Sequence, residues 1–314
     1  MLPNIKANNT AKENKGQALR KMKKHWQLYL VVFLPILYVI IFQYIPMIGV
    51  QIAFKNYNLS KGIFGSPWIG FKHFKTFLTS YQFSRLMINT LGLSVYQIVA
   101  GFFPPIILAL ALNYSLSRGF GKTVQMVTYM PHFISTVLIV AIASQLLSIN
   151  GAVNNFIKAA GGNPIQFLGD PNWFKSVYVW SGIWQGTGYN AILYLAAIAG
   201  INPELYEAAT VDGASIWKRI WHIDIPGIMP TAIILLILST GKILNIGYEK
   251  VLLLQNQLNM QSSDIISTYV YRIGLVSMQY SYSSAINLMQ SVISLILIVS
   301  VNGISRKVTE NSLW

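Results

Sequence analysis

Long apolar runs separated by polar stretches make up the chain after its first two dozen residues. A helix needs about 20 apolar residues to cross the hydrocarbon core of a bilayer. The segments that meet this length are predicted to be transmembrane helices: residues 27–47, 86–112, 124–147, 174–200, 229–247 and 284–304. The first run is too long for a signal peptide and lacks a small-residue cleavage site, so we expect it to stay in the protein. The pattern predicts an all-α membrane protein with six spans.

Basic residues predict how these spans are oriented, because Lys and Arg favour the cytoplasmic side of a membrane. They are concentrated before the first span, between spans two and three, between spans four and five, and after span six. A first outer loop with several lysines weakens this bias without reversing it. We therefore expect both termini to be cytoplasmic. The predicted division is a basic tail (1–26) attracted to anionic lipid, a six-span domain (27–306) and a C-terminal tail (307–314).

One polar stretch between the fourth and fifth spans, residues 203–226, has local signals for a short helix. Asn202 can cap this helix, and Pro203 suits its first position, where the missing N–H costs nothing. Gly213 can adopt the left-handed conformation that ends a helix. The helix is therefore predicted to run to about Asp212.

A second short helix is predicted directly after this turn. Ser215 is placed to cap this helix, which carries Trp217 and Trp221. Asp224 and Pro226 are predicted to end it. Two short helices joined at a glycine would form a compact knob suited to docking.

The same stretch, EAATVDGASIWKRIWHIDIP, resembles the cytoplasmic coupling loop of permease subunits in binding-protein-dependent ABC importers. The positions that match the loop pattern are Glu207, Ala208, Ala209, Gly213, Ile223 and Pro226. Ile225 stands where the pattern has Leu, which keeps the apolar character. Other stretches, among them YMPHFIS and GYEKVLLLQN, are similar to one branch of these permeases, which imports oligosaccharides derived from complex polysaccharides of the alginate and rhamnogalacturonan types.

The resemblance implies a type I importer permease (MetI-like) fold, with six transmembrane helices and cytoplasmic coupling helices, in the inner membrane. It also implies a second homologous permease as heterodimer partner, two ATP-binding subunits that hold ATP and Mg, and an extracytoplasmic solute-binding protein. No cofactor is expected in this chain itself. The residues expected to couple to the ATPase are Glu207, Ala208, Ala209, Asp212, Gly213, Ile223 and Pro226.

Composition and short motifs exclude several other classes of protein. Charged residues make up 10% of the chain, against about 25% in soluble domains. The net charge of +14 is explained by basic residues that flank spans, so no nucleic-acid partner is predicted. Gly121, Lys122 and Thr123 resemble the end of a phosphate-binding loop, but residue 116 is Leu where that motif needs Gly. With no cysteine, dispersed histidines and no nucleophile motif, neither a metal site nor a catalytic residue is predicted.

The fourth span contains aromatic rings, amides and glycines at intervals near three and four residues. Such residues suit a sugar, whose C–H faces stack on rings and whose hydroxyls bond to amides. Helix packing explains them equally well, since glycines permit close approach and amides bond across a bundle. In the resembling importers the helices that flank the coupling loop contact substrate. The residues predicted on that basis to line the pathway are Trp184, Gln185, Tyr189, Asn190, Ser239, Lys242 and Asn245.

Lys242 lies deep in an apolar run, where an unpaired ammonium costs several kcal/mol. It can extend towards the membrane surface, pair with Glu249, or meet a negatively charged substrate. The sequence leaves these three explanations open. The third predicts an acidic sugar.

Aromatic residues are frequent in the two long outer segments, 48–85 and 248–283. They include Trp68, Phe71, Phe74, Phe77, Tyr269, Tyr271, Tyr280 and Tyr282. An aromatic belt at the membrane interface and a docking surface for an external protein are the two interpretations.

The predicted function is uptake of oligosaccharides by alternating access, powered by partner ATPases. An ion-gradient-driven secondary transporter is the alternative. It would favour carboxylates within the spans, and none of the nine acidic residues lies in the middle of a predicted span.

Overall fold

The computed structural model describes residues 24–309 except Leu116. The regular secondary structure of these residues is helical. Their β-type backbone pairing is limited to an isolated antiparallel bridge between Lys55 and Trp68. The all-α prediction is therefore confirmed. The expectations for the basic tail before residue 24 and for residues 310–314 concern residues outside those described.

Several helical segments of the described chain are long and apolar enough to cross a membrane: Trp26–Phe54, Tyr81–Asn113, Thr136–Ala159, Ile216–Thr240 and Tyr280–Lys307. A further helix, Pro171–Ala199, has 29 residues, about 44 Å at 1.5 Å per residue. It corresponds to the predicted span 174–200. Its amides, glycines and rings make it less apolar than the other segments, although its length is sufficient.

The described residues divide into two compact units, the first ending at Ile69 and the second beginning at Gly70. The helical segments of the first are α1 (Trp26–Val39), a π-helical turn (Ile40–Tyr44), α2 (Ile45–Met47), a 3-10 helix (Ile48–Phe54) and α3 (Gly62–Gly65). In the π-helical turn the N–H of Ile45 bonds to the carbonyl of Ile40, and Pro46, which has no N–H, follows directly. The wider turn lets helical structure continue past the proline. The first span therefore extends beyond the predicted residue 47.

The second unit contains the other helices. They are α4 (Lys72–Leu78), α5 (Tyr81–Asn113), α6 (Arg118–Tyr129), α7 (Thr136–Leu147), α8 (Ala152–Ala159), α9 (Pro171–Ala199), α10 (Pro203–Val211), α11 (Ile216–Arg219), α12 (Ile225–Thr240), α13 (Tyr248–Leu254), α14 (Met260–Ser263), α15 (Ile266–Tyr271) and α16 (Tyr280–Thr309). Helices α5 and α9 pack along each other, and α12 contacts both.

Small residues allow close packing in this unit. At Gly188 of α9, a β-carbon would lie only 2.1 Å from the carbonyl oxygen of Thr128. Any side chain there would push α9 away from α6. A glycine at this position therefore lets two backbones touch, which is common where membrane helices cross closely.

The prediction of one continuous third span over residues 124–147 is wrong, because the helix is interrupted. Helix α6 ends at Tyr129, a 3-10 turn covers Met130–Phe133, and α7 begins at Thr136. Pro131 has no N–H to continue the helix, and Ser135 caps the next one by accepting from the backbone of Leu138.

The predicted fifth span, 229–247, is wrong at its end. Helix α12 stops at Thr240, and residues 241–247 form an irregular segment. Side chains bond to its carbonyls: Ser94 Oγ donates to Ile243, and Gln290 Nε2 donates to Leu244 at 2.7 Å. These bonds replace helical ones, so the interruption is stabilised from α5 and α16.

The outer segment 248–283 is largely helical. Phe77 and Tyr269 from the two outer segments are buried together with Leu86 and Ile286. For these two rings neither sequence-based interpretation is right, because they belong to the core. Phe71 stays exposed at 71%, so both interpretations remain open for it.

Candidate functional site

The loop between α9 and α12 begins with a helix whose ends match the predicted signals. Asn202 Oδ1 accepts a hydrogen bond from the Glu204 backbone N–H at 3.1 Å, and Pro203 occupies the first turn. Gly213 has φ of +67°, in the left-handed region that favours glycine. The N–H of Ala214 bonds to the carbonyl of Ala209 at 2.8 Å, which is the bond of a Schellman end. The predicted start and stop of this helix are confirmed.

The second part of the loop differs from the prediction. Ser215 precedes α11, but its side chain makes no capping bond. The expectation that Asp224 and Pro226 end the helix is wrong. A π-helical turn, Ile220–Asp224, joins α11 to α12, with the N–H of Ile225 bonded to the carbonyl of Ile220. The wider turn accommodates Pro226, so the helix runs unbroken from the loop into the fifth span.

Asp224 lies at the centre of a buried hydrogen-bond network that no local sequence pattern predicts. Its carboxylate is fully buried and accepts from the hydroxyls of Tyr114, at 2.7 Å, and Tyr206. Tyr206 belongs to the loop helix α10, and Tyr114 directly follows α5. Burial, followed by the hydrogen bond to Asp224, raises the pKa of both tyrosines above its usual range. Both hydroxyls therefore stay protonated and donate.

Arg219 closes the loop from the other side. Its Nε donates to the carbonyl of Ala214 at 3.1 Å, directly after the left-handed turn. This bond links α11 to the turn after α10, while the bond from Tyr114 to Asp224 links the loop to the end of α5.

The outer face of the loop is exposed. Most of the predicted coupling residues lie there, while Ala209 and Ile223 are half-buried. Large apolar side chains accompany them, with Val211 exposed at 88% and Trp217 at 73%. An exposed apolar patch beside carboxylates is typical of a surface that binds another protein.

A cavity of about 540 Å³ lies between α5, α9, α12 and the irregular segment 241–247. Four of the residues predicted for a substrate pathway line it: Asn190, Ser239, Lys242 and Asn245. Gln97 and Ser94 of α5 add polar groups that sequence reasoning missed. Their signal was weak, since single polar residues are common in long spans.

Three other predicted pathway residues do not line this cavity. Gln185 Nε2 donates to the carbonyl of Ile134 at 2.9 Å. The Tyr189 ring stacks on His132 with centroids 3.9 Å apart and planes at 2°. Trp184 is half exposed elsewhere on α9. The contacts of Gln185 and Tyr189 are with the turn that interrupts the third span, which corresponds to the packing explanation.

Among the described residues that line the cavity, Lys242 is the one with a charged side chain. Both ion pairs of the described chain go to Asp264, so Lys242 does not pair with Glu249. Lys242 lines the cavity together with the amide side chains of Asn190 and Asn245 and the hydroxyl of Ser239. Such a lining can bind hydroxyls and one negative charge.

A bundle of membrane-length helices, an exposed interhelical loop and a polar cavity between the helices that flank it define a membrane transport subunit. The family described as binding-protein-dependent transport system inner membrane component matches residues 101–310. The chain belongs to this family. It is a permease subunit of an ABC importer, and the family places ATP hydrolysis outside this kind of chain.

Relatives match over nearly the whole chain. Protein LplB of Bacillus subtilis (strain 168) is 42% identical over 294 residues, which cover 93% of this chain and 92% of the relative. The polygalacturonan/rhamnogalacturonan transport system permease protein YteP of the same organism is 39% identical over 304 residues, covering 96% and 95%.

Solved structures agree on the fold. A bacterial ABC transporter involved in the import of the acidic polysaccharide alginate gives a TM-score of 0.86 at 41% identity, covering 93% of this chain and 99% of that one. A bacterial alginate ABC transporter in complex with an alginate pentasaccharide-bound periplasmic protein also gives 0.86, at 40% identity and with 94% and 99% covered. The predicted type I importer permease fold is confirmed.

Proposed function

We propose that this chain is one of two different permease subunits of an importer for acidic oligosaccharides released from complex polysaccharides. The observation that carries the proposal is the cavity of about 540 Å³ with Lys242 in its lining. Relatives named for polygalacturonan/rhamnogalacturonan transport and for alginate import support the substrate class.

The chemistry of the cavity fits a sugar acid. Asn190, Asn245 and Ser239 offer donors and acceptors for hydroxyl groups. Lys242 offers an ammonium, whose desolvation is offset when a carboxylate binds. A neutral sugar would leave that ammonium without its counter-charge.

The loop 203–226 couples this cavity to ATP hydrolysis in partner chains. Its proposed contact residues are Glu207, Ala208, Ala209, Asp212, Gly213, Ile223 and Pro226, most of which lie on the exposed face. Closure of an ATP-binding dimer against the loop would tilt α12 and open the cavity alternately to the two sides of the membrane. Two ATP-binding subunits would hold ATP and Mg, so no cofactor belongs to this chain.

The proposed assembly lies in the cell membrane with both termini of this chain in the cytoplasm. The distribution of Lys and Arg supports that orientation. An extracytoplasmic binding protein would deliver the sugar, as the complex of the alginate transporter with its periplasmic protein suggests. The family match leaves the ion-gradient alternative without support.

Uptake by the reconstituted importer tests the substrate class. Proteoliposomes with the complete complex and its binding protein are given trigalacturonic acid or its methyl ester, with and without ATP. We expect ATP-dependent uptake of the acid. Lys242→Met should lower acid uptake about tenfold, the value of one charged hydrogen bond, and change ester uptake less than twofold.

Lys158→Met is the matched control, because Lys158 lies exposed on α8, away from the cavity. It should leave both rates unchanged. Equal effects of Lys242→Met on acid and ester, or none on either, would reject Lys242 as the anion-binding group.

A further inference from the structure

Lys250 of α13 is a buried cation that the proposed function does not use. Lys250 is only 8% exposed. It directly precedes Val251, which belongs to the apolar cluster that contains Tyr178. The Nζ atom donates to the carbonyl oxygen of Tyr178 at 2.9 Å and lies 4.9 Å from the centre of that ring.

No carboxylate compensates this charge within the described chain, where both ion pairs are made by Asp264. An ammonium has three N–H donors, and one carbonyl accepts only one of them. The tyrosine ring adds a weaker cation–π contact. Buried cations without a counter-charge are unfavourable for folding, so one that persists is a candidate for ligand binding.

The ammonium lies beside the cavity, behind a glycine. Gly182 lines the cavity, and a β-carbon at this residue would come within 3.1 Å of Lys250 Nζ. The Lys250 side chain therefore reaches the place that a side chain at 182 would occupy. Gly186 and Asn190 follow at four-residue intervals on the same face of α9 and also line the cavity. Lys250 therefore lies at the Gly182 end of the row formed by Gly182, Gly186 and Asn190.

We infer that Lys250 is a second cationic subsite of the cavity, which binds a carboxylate of the sugar at its Gly182 end. The inference rests on the proposed function and refines it. The ligand carries carboxylates on at least two sugar residues, one bound by Lys242 and the other by Lys250. The flexible stem of a lysine allows Nζ to keep or exchange its bond to Tyr178 when a carboxylate arrives.

Substrate charge distinguishes this role from a structural one. In the complete reconstituted importer, KM and kcat are measured for trigalacturonic acid and for its methyl ester. Lys250→Met keeps a flexible, unbranched side chain that is one atom shorter, and it removes the charge. We expect its KM for the acid to rise about tenfold and its KM for the ester to change less than twofold.

Lys175→Met is the matched control. Lys175 Nζ also lies against a glycine, 2.8 Å from a β-carbon built at Gly92, but Gly92 does not line the cavity. This variant should leave both KM values within twofold of the parent.

Gly182→Ala tests the same geometry with Lys250 in place. The added methyl group meets only the end of a flexible side chain, so the helix can accommodate it while the ammonium must move. We expect a higher KM for the acid, and no further rise when Gly182→Ala is combined with Lys250→Met. If Lys250→Met fails to assemble, Gly182→Ala still tests whether Lys250 binds the carboxylate of the sugar.

The outcomes separate the two proposals. If the parent imports the acid but Lys250→Met or Gly182→Ala raises KM equally for acid and ester, Lys250 is structural and the inference is overturned. An unchanged acid KM in both variants overturns it as well. If the parent imports neither probe, the proposed function fails, and the inference fails with it.

Discussion

Gly213 shows how much one residue decides in the loop. Its φ of +67° and the Ala214–Ala209 bond end α10 and direct the chain into α11. A β-carbon at Gly213 would meet nothing within 4 Å. Substitution there therefore strains the backbone without causing a clash, and its effect on docking can be separated from its effect on folding.

Gly213→Arg should leave membrane insertion intact and abolish both transport and substrate-stimulated ATPase activity. The left-handed conformation costs a non-glycine residue about 1 kcal/mol, too little to unfold the bundle, while a large charged side chain obstructs docking. Uptake and ATPase assays on the reconstituted complex measure this. Gly213→Asn is the control, since Asn tolerates the left-handed region and should retain most activity. Normal uptake by the arginine variant would remove Gly213 from the coupling surface.

At the scale of elements, the Asp224 network joins three helical segments that are distant in sequence. Tyr206 on α10 and Tyr114 at the end of α5 donate to a carboxylate in the π-helical turn before α12. A buried acceptor that loses a donor costs about 1–3 kcal/mol. We therefore expect the network to fix the angle between the loop and the transmembrane helices.

Tyr206→Phe should lower sugar uptake several-fold while the complex still hydrolyses ATP, because the loop docks but no longer moves the helices as one body. Tyr114→Phe should act similarly, and the double variant should lose less than the two losses combined. Uptake per ATP hydrolysed is the measurement, and Tyr44→Phe in the first unit is the control. Additive effects would mean that the two hydroxyls act independently.

The pH dependence of this network follows from the raised tyrosine pKa values. A group whose pKa is raised on folding contributes its stabilisation fully below its unfolded pKa, about 10 for tyrosine, and loses it only as pH rises beyond that. The network should therefore cause no change in sugar uptake per ATP hydrolysed between about pH 6 and 9.

The sequence could predict those elements whose signals are local. The Asn202 cap and the Gly213 turn each depend on a few neighbouring residues, and both are confirmed. The apolar runs predict the helical segments themselves, but not the break in the third span or the early end of the fifth. The sequence could not predict the Asp224 network, because its tyrosines lie 110 and 18 residues away along the chain. It also missed the irregular segment 241–247, which depends on side chains from α5 and α16. The cavity lining was predicted in part, since spacing along α9 could not tell residues that face α6 and its turn from those that face the cavity.

For the whole molecule, the cavity and the loop imply that this chain acts only with partners. Under the proposed function this chain provides one wall of a pathway through the membrane, and its loop presents exposed apolar side chains. Surfaces of this kind are covered in the assembled state of a transport complex.

Affinity purification of this chain should therefore recover one different permease and two ATP-binding subunits. Native mass spectrometry of the purified complex gives the stoichiometry. A second copy of this chain carrying another tag should not co-purify. A stable homodimer that transports sugar would refute the heteromeric arrangement.

The unbroken helix from Ile216 to Thr240 also makes the loop and the cavity wall parts of a single lever. Ser239 lies 23 residues beyond Ile216, about 35 Å along the axis at 1.5 Å per residue. A tilt of about 5° applied at the loop would then displace the cavity end by about 3 Å, close to one hydrogen-bond length. If the cavity binds sugar as we propose, a small displacement at the membrane surface is thereby large enough to break a hydrogen bond between the cavity end of α12 and the sugar.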